Sequence, residues 1–457
     1  MKPFFTLLLA VGLTCNLFSQ QISGNVRDAE TGLPIENVNV YTANNDEGTF
    51  TDKNGNFELK LKNHLKPDEL IYFTHVSYTP QQLAFKVLKE AGFLVNLIPD
   101  TIPLNEVNLV SKRKLQSQLK VKTLPSMDKG IYAGDAVLAN NKIYVFGGDA
   151  TRKIDALKKV SNEYPSASFG EAIQRANWLS LYNYEGYVNT LQFYDLESGK
   201  WKEQKTKLPK RAYHDMLYNK NEDQVYVLGG KRLSPNRKFE YLMDEIDILD
   251  LKNDTILKDK TNPHQAINFA SFVSGDNIIL MGGSVKQTRN GDKVYSDKVH
   301  LFNTKTGLWY ELGNMPQAKE TSGVLVNNVI YLIGGSNGQP LTYIETYDLE
   351  SGKWARIGEL FEPLAEPAIA ANEDFVYIYY PGNLSVYNTR TGIINKYGIN
   401  FFVQNPKMFY SENKLYLLGG YDKDEYSVEL SARMISVNLN ELNKTRIRQS
   451  KIIGNTI

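Results

Sequence analysis

The residues of this 457-residue chain best able to do chemistry are few, and their spacing narrows what they can do. Its five histidines are scattered, and no pair of them has metal-ligand spacing. His64 and His75 lack the glutamate spacing of a zinc peptidase, and no Ser-His-Asp order, phosphate loop or EF-hand loop stands out. Cys15 is the only cysteine. It lies in an apolar N-terminal segment, so a chain processed after that segment has no disulfide, thiolate metal site or cysteine nucleophile. No catalytic residue, metal or cofactor is therefore assigned. What remains is a series of polar and aromatic residues that recur shortly before apolar strands. They are Lys129 and Tyr132, then Arg211, Tyr213 and His214, then His264 with Gln265. Lys319 and Glu320, Glu366 and Asn405 continue the series. Arg with Glu and Tyr around one central funnel would suit a sugar or a carboxylated ligand. The bland reading is that these side chains cap strands or pair with each other. Glu320 or Glu366 with Arg211 could also act as an acid–base pair on a sugar ring.

A repeat must position this series. Ile143-Tyr144-Val145-Phe146-Gly147-Gly148 recurs as Val225–Gly230, Ile278–Gly283, Ile330–Gly335 and Leu415–Gly420. Val376–Gly382 is a degenerate copy. The heptad Asp-Leu-Glu-Ser-Gly-Lys-Trp occurs verbatim at Asp195–Trp201 and Asp348–Trp354, with a close variant at Asn303–Trp309. Asn388–Ile394 keeps the turn without the tryptophan, and Asp250–Ile256 is weaker still. Each copy reads as a four-stranded blade that buries its faces only against its neighbours, so the ring must close. These residues resemble the Kelch repeat. The resemblance implies a six-bladed β-propeller over 127–449, with blades near 127–206, 207–259, 260–312, 313–359, 360–399 and 400–449. In this strand order the loops after each Gly-Gly share one face with the blade-to-blade entries. The longest spans 149–190 and carries an expected helix (Phe169 to Trp178) and the aromatic cluster Trp178, Tyr182, Tyr184 and Tyr187. That cluster is a second candidate ligand surface. Its bland reading is packing of the insert onto the rim.

Residues 20–111 read as about seven short strands, the number expected of a sandwich. Asn54-Gly55 marks a tight hairpin turn before Phe57. Ile22-Ser23-Gly24-Asn25-Val26 with Thr31-Gly32-Leu33-Pro34, Thr51-Asp52 with Asn54-Gly55-Asn56-Phe57, and Leu104-Asn105-Glu106-Val107 resemble the carboxypeptidase regulatory-like domain. That family implies a transthyretin-like β-sandwich without a peptidase zinc site. It occurs at the N-terminus of many TonB-dependent receptors, but no plug or barrel follows here. Residues 112–126 read as a polar connector and 450–457 as a C-terminal tail.

Lys2, the apolar run Phe4–Leu13 and the polar turn to Ser19 have the pattern of a signal peptide over 1–19. Gly12-Leu13-Thr14 fits a lipobox poorly before Cys15. The net charge is +1, which argues against a nucleic-acid or anionic-membrane binder, and no later apolar run is long enough to span a bilayer. The expectation is an all-β, exported, non-catalytic binding or scaffolding protein. It would sit in the periplasm, at the outer membrane or outside the cell, and take a glycan or an envelope protein partner. The alternative is a carbohydrate-active isomerase of the sialic acid mutarotase type. Oligomeric state is not legible.

Overall fold

The computed structural model describes residues 20–42, 48–100, 115–130, 132–151, 153–181, 186–288 and 290–454. The expected signal segment with Cys15, the expected strand 107–110, and Tyr182 and Tyr184 lie outside the described residues. The chain divides after Arg113 into two compact units, both built mainly of strands.

In the first unit, Gln20–Asp28 pairs antiparallel with Asn56–Leu61 and parallel with Leu94–Leu97. A second sheet runs in the order Gly48–Phe50, Asn39–Thr42, Leu70–His75, Tyr78–Ala84. Alternate residues turn inward, because successive strand side chains point to opposite faces. Phe57, Leu59 and Leu61 thus meet Val26, Val40, Ile71 and Phe73 in one core. Gly55 makes the hairpin turn at φ +73°, where an added Cβ would lie 2.4 Å from the Val26 carbonyl oxygen.

In the second unit, six sheets follow the repeat. The first is Asp135–Ala139, Lys142–Phe146, Leu191–Asp195 and Lys200–Glu203, in that order outward. The innermost strands of the others are Asp215–Asn219, Ala270–Ser274, Gly323–Val326, Ala368–Ala371 and Lys407–Ser411. Apolar clusters fill the gaps between consecutive sheets. Phe146 and Leu191 meet Met216 and Val227 in one gap, while Tyr416 and Met434 meet Ile143 and Tyr194 in the gap that closes the ring. The heptad explains itself in these turns. Asp195 Oδ1 accepts the Ser198 amide at 2.8 Å, and Asp348 Oδ1 accepts the Ser351 amide at 2.6 Å. Trp201 and Trp354 then lie on Tyr194 and Tyr347, with ring centroids 5.3 and 4.7 Å apart.

Two stretches that lie or reach beyond the expected blade limits, 127–449, belong to this unit. Lys122–Leu124, read as connector, is the outer strand against Met434–Asn438. Ile447–Ile452 adds a fifth strand to the sheet of Ala368–Ala371. The insert holds two helices, Ala156–Glu163 and Phe169–Leu181, packed through Val160, Ala172 and Ala176. Ser168 and Glu171 form a reciprocal cap on the longer one.

Candidate functional site

Each Gly-Gly folds back onto the entry segment of its own sheet. Isolated bridges join Tyr132 to Asp149, Ala212 to Lys231, Ile267 to Ser284, Glu320 to Ser336 and Gln404 to Tyr421. Gly335 shows why glycine is needed: at φ +103° its Cβ would lie 2.3 Å from the Glu320 carbonyl oxygen. The entries are thereby held around a central cavity of 260 Å³, lined by all six innermost strands and their entries.

Six of the expected residues line this cavity: Tyr132, Tyr213, His214, Glu320, Glu366 and Asn405. Tyr132 meets Tyr213 edge to face at 5.8 Å and Tyr421 at 5.2 Å. Glu320 is buried and accepts hydrogen bonds from Ser284 Oγ (2.8 Å), Asn268 Nδ2 (3.1 Å) and Lys293 Nζ (2.7 Å). Glu366 is half-buried and accepts from Asn405 Nδ2 at 2.8 Å. Burial, then the Glu320 charge, raises its carboxyl above the usual range, against the pull of Lys293 and Lys407. Burial, then the negative charge of Glu366, likewise raises the Tyr132 and Tyr421 phenols.

The others stand elsewhere. Arg211 is fully buried: its guanidinium donates to Asp247 Oδ2 at 2.6 Å and to the Val227 carbonyl at 2.9 Å. The funnel reading fails for it because Asp247, also fully buried, takes its charge. Lys319 is the equivalent residue two sheets on, bound to Glu345 Oε2 at 2.6 Å and under the Tyr343 ring. The Glu/Arg pair expected for an isomerase is therefore not assembled in the cavity. His264 is buried outside it, and Lys129 is exposed outside it. From the insert, Tyr187 lies outside the cavity lining, with its ring 6.4 Å from that of Tyr213, and donates its hydroxyl to Glu240. Trp178 is 57% exposed on the longer helix.

Sequence reasoning missed the inner end of the cavity. Lys407 Nζ lies 2.6 Å from Asp135 Oδ1, and Ser271 Oγ donates to Asp215. The Asp135 and Asp215 carboxyls face each other closely enough that each influences the other's titration. Burial and the Asp135 charge raise Asp215 well above the usual range. For Asp135 the cost of burial is overcome by Lys407 and by Asp215, and its carboxyl is lowered. The signal was available: Asp135, Asp215 and Lys407 open the innermost strands, where register places them on the axis.

His264 and His300 also come together unannounced by their spacing. His264 Nε2 lies 3.0 Å from the Gly282 carbonyl, which can only accept. Its Nδ1 is then the acceptor for His300 Nδ1–H at 2.9 Å. Burial and His300 lower His264 to about 3, and burial lowers His214 to about 3. In the unfolded chain each would bind a proton near pH 6.5 that the fold refuses. Each histidine's contribution to stability is complete above pH 6.5 and is lost as the pH falls towards 3, by up to about 1.4 kcal/mol per pH unit. Asp215 and Glu366, both raised, act in the opposite sense. Urea unfolding of His264→Gln should therefore show a slope against pH lower than wild type by up to that amount. Identical slopes would refute the buried neutral imidazole.

Residues 22–109 match the family model of the CarboxypepD_reg-like domain, and residues 180–359 match that of the Attractin/LZTR1 beta-propeller. The TonB-dependent receptor SusC of Bacteroides thetaiotaomicron is 30% identical over 149 residues, 31% of this chain and 14% of that protein. Kelch repeat and BTB domain-containing protein 2 of cowpox virus (strain GRI-90) is 28% identical over 120 residues, 26% of this chain and 21% of that one. The chain thus spans less than a quarter of the length of these curated relatives. A solved structure titled "Structure of YjhT" aligns with TM-score 0.48 and 13% identity, over 68% of this chain and 96% of its own. This chain joins a carboxypeptidase regulatory-like domain to a Kelch-type β-propeller.

Proposed function

We propose that this is an exported, non-catalytic binding protein of the cell envelope whose propeller takes a glycan on its long-loop face. The observation that carries the reading is the cavity at that face. Tyrosine rings stand there beside Glu320, Glu366, Asn268 and Asn405, so an apolar wall adjoins convergent polar groups. Sugar rings present that same division, with C–H faces for stacking and hydroxyls for hydrogen bonds. The envelope setting draws on the first domain's family and on the likeness to SusC. The first domain would serve as a spacer or docking module.

A glycan array with the full chain and its Tyr132→Leu variant tests this. Wild type should retain a saccharide that Tyr132→Leu binds at least about tenfold more weakly, a change of about 1.4 kcal/mol. The melting temperature of the variant should stay close to that of wild type. Binding kept in Tyr132→Leu and lost on deleting residues 153–181 would move the site to the insert. No saccharide binding would sink the glycan reading and leave a protein partner.

A further inference from the structure

We propose that the cavity selects a saccharide bearing a free amine, its ammonium seated on Glu366 beside the Tyr132 and Tyr213 rings. The inference rests on the glycan reading and adds the charge of the ligand. It begins with the charges facing or contacting the cavity among the described residues. The carboxylates are Asp135, Asp215, Glu320 and Glu366. The ammonium groups are Lys407, in the lining, Lys293, which reaches Glu320 from outside it, and Lys231, which stands over the lining Tyr213 ring and is paired with Glu240 at 2.9 Å. Lys293 neutralises Glu320. Asp135 is paired with Lys407 at 2.6 Å, and burial with the Asp135 charge favours the neutral form of Asp215. Glu366 is left over. No ammonium or guanidinium of the described residues pairs with it; its hydrogen-bond partner is the neutral amide of Asn405.

Arginine would have reversed this balance, but Arg211 and Lys319 are sealed against Asp247 and Glu345 and offer nothing to a carboxylated ligand. An uncompensated, half-buried carboxylate is costly, and a ligand cation removes that cost. Burial, then the Glu320 charge, raises the Glu366 carboxyl, and a ligand cation would favour its charged form. The tyrosines add to the attraction, since the negative face of an aromatic ring draws an ammonium. Lys231 already uses the Tyr213 ring in this way, with Nζ 5.4 Å from its centroid. A metal ion is a poorer occupant, because no cluster of three or more His, Cys, Asp or Glu able to hold one occurs among the described residues. The volume, 260 Å³, is small and suits one sugar ring rather than a chain.

Titration calorimetry of the full chain with glucosamine, N-acetylglucosamine, glucose and n-butylammonium tests this at neutral pH and low salt. Glucosamine should bind at least tenfold more tightly than glucose or N-acetylglucosamine. Glu366→Gln keeps the shape and the Asn405 bond and removes a costly charge, so it should erase that preference at a melting temperature no lower than that of wild type. Equal affinity for glucose and glucosamine, or a preference that survives Glu366→Gln, would overturn the amine while leaving the glycan reading intact. Butylammonium binding as tightly as glucosamine would overturn the saccharide part. No binding by any of the four would overturn the inference, and a positive array would then show that the glycan reading itself stands.

Discussion

Replacing Arg211 by alanine should destabilise the propeller by about 3–5 kcal/mol, the cost of leaving one member of a buried ion pair alone. Arg211 and Asp247 are both fully buried, and the guanidinium also holds the Val227 carbonyl and, at 3.3 Å, the Glu245 carbonyl. The pair ties the entry of one sheet to its third strand. Lys258, 3.6 Å from Asp247, is 42% exposed and too weak a substitute to hold that charge. Urea unfolding should show the loss, and Asp247→Ala should match it. The double variant R211M/D247L removes both charges and fills the space, so it should recover much of the loss. A ligand anchor would behave differently, with stability intact and binding gone. An Arg211→Ala variant within about 1 kcal/mol of wild type would refute the structural role.

The sequence was most legible where backbone geometry restricts residue choice. The Gly-Gly pairs and the Ser-Gly turns stand at positive φ, so selection for glycine repeats with the fold. The same rule explains the faint turn of the second sheet, where Asp254 takes the positive φ that Gly199 and Gly352 take elsewhere. Tyr132, Glu320 and Glu366 were legible as mouth residues because each stands two or three residues before an innermost strand. Arg211 and Lys319 share that neighbourhood in sequence, but they sit one position before Ala212 and Glu320 in the bridge. Alternation sends their side chains away from the cavity, into the blade. Asp135, Asp215 and Lys407 were unremarkable one by one. Only ring closure brings residue 407 beside residue 135, and no local pattern encodes a contact of that separation.

The ring itself depends on a strand that its sequence hides. Replacing Lys122, Thr123 and Leu124 by Gly, Pro and Gly should unlatch the last sheet. Lys122–Leu124 pairs with Ser436, Ile435 and Met434, so the outer strand of the last sheet comes from the N-terminal end of the unit. Around it, the Leu119 amide donates to the Gly398 carbonyl at 2.7 Å, and Trp201 Nε1 of the first sheet donates to the Pro125 carbonyl at 2.8 Å. Leu124 packs with Met127 and Met434 in the closing apolar cluster. The triple substitution keeps the chain length but removes a ladder donor, a packed leucine and much strand propensity. A loss of about 3 kcal/mol is expected, which for a unit of this size lowers the melting temperature by roughly 4 °C. Amide exchange should quicken along Met434–Asn438 first and spread to Lys414–Leu418, its inner neighbour. The sheet of Ala270–Ser274, across the ring, should stay protected at low denaturant. Uniform loss of protection would point to global destabilisation, and an unchanged melting temperature would show that the ring closes without this latch.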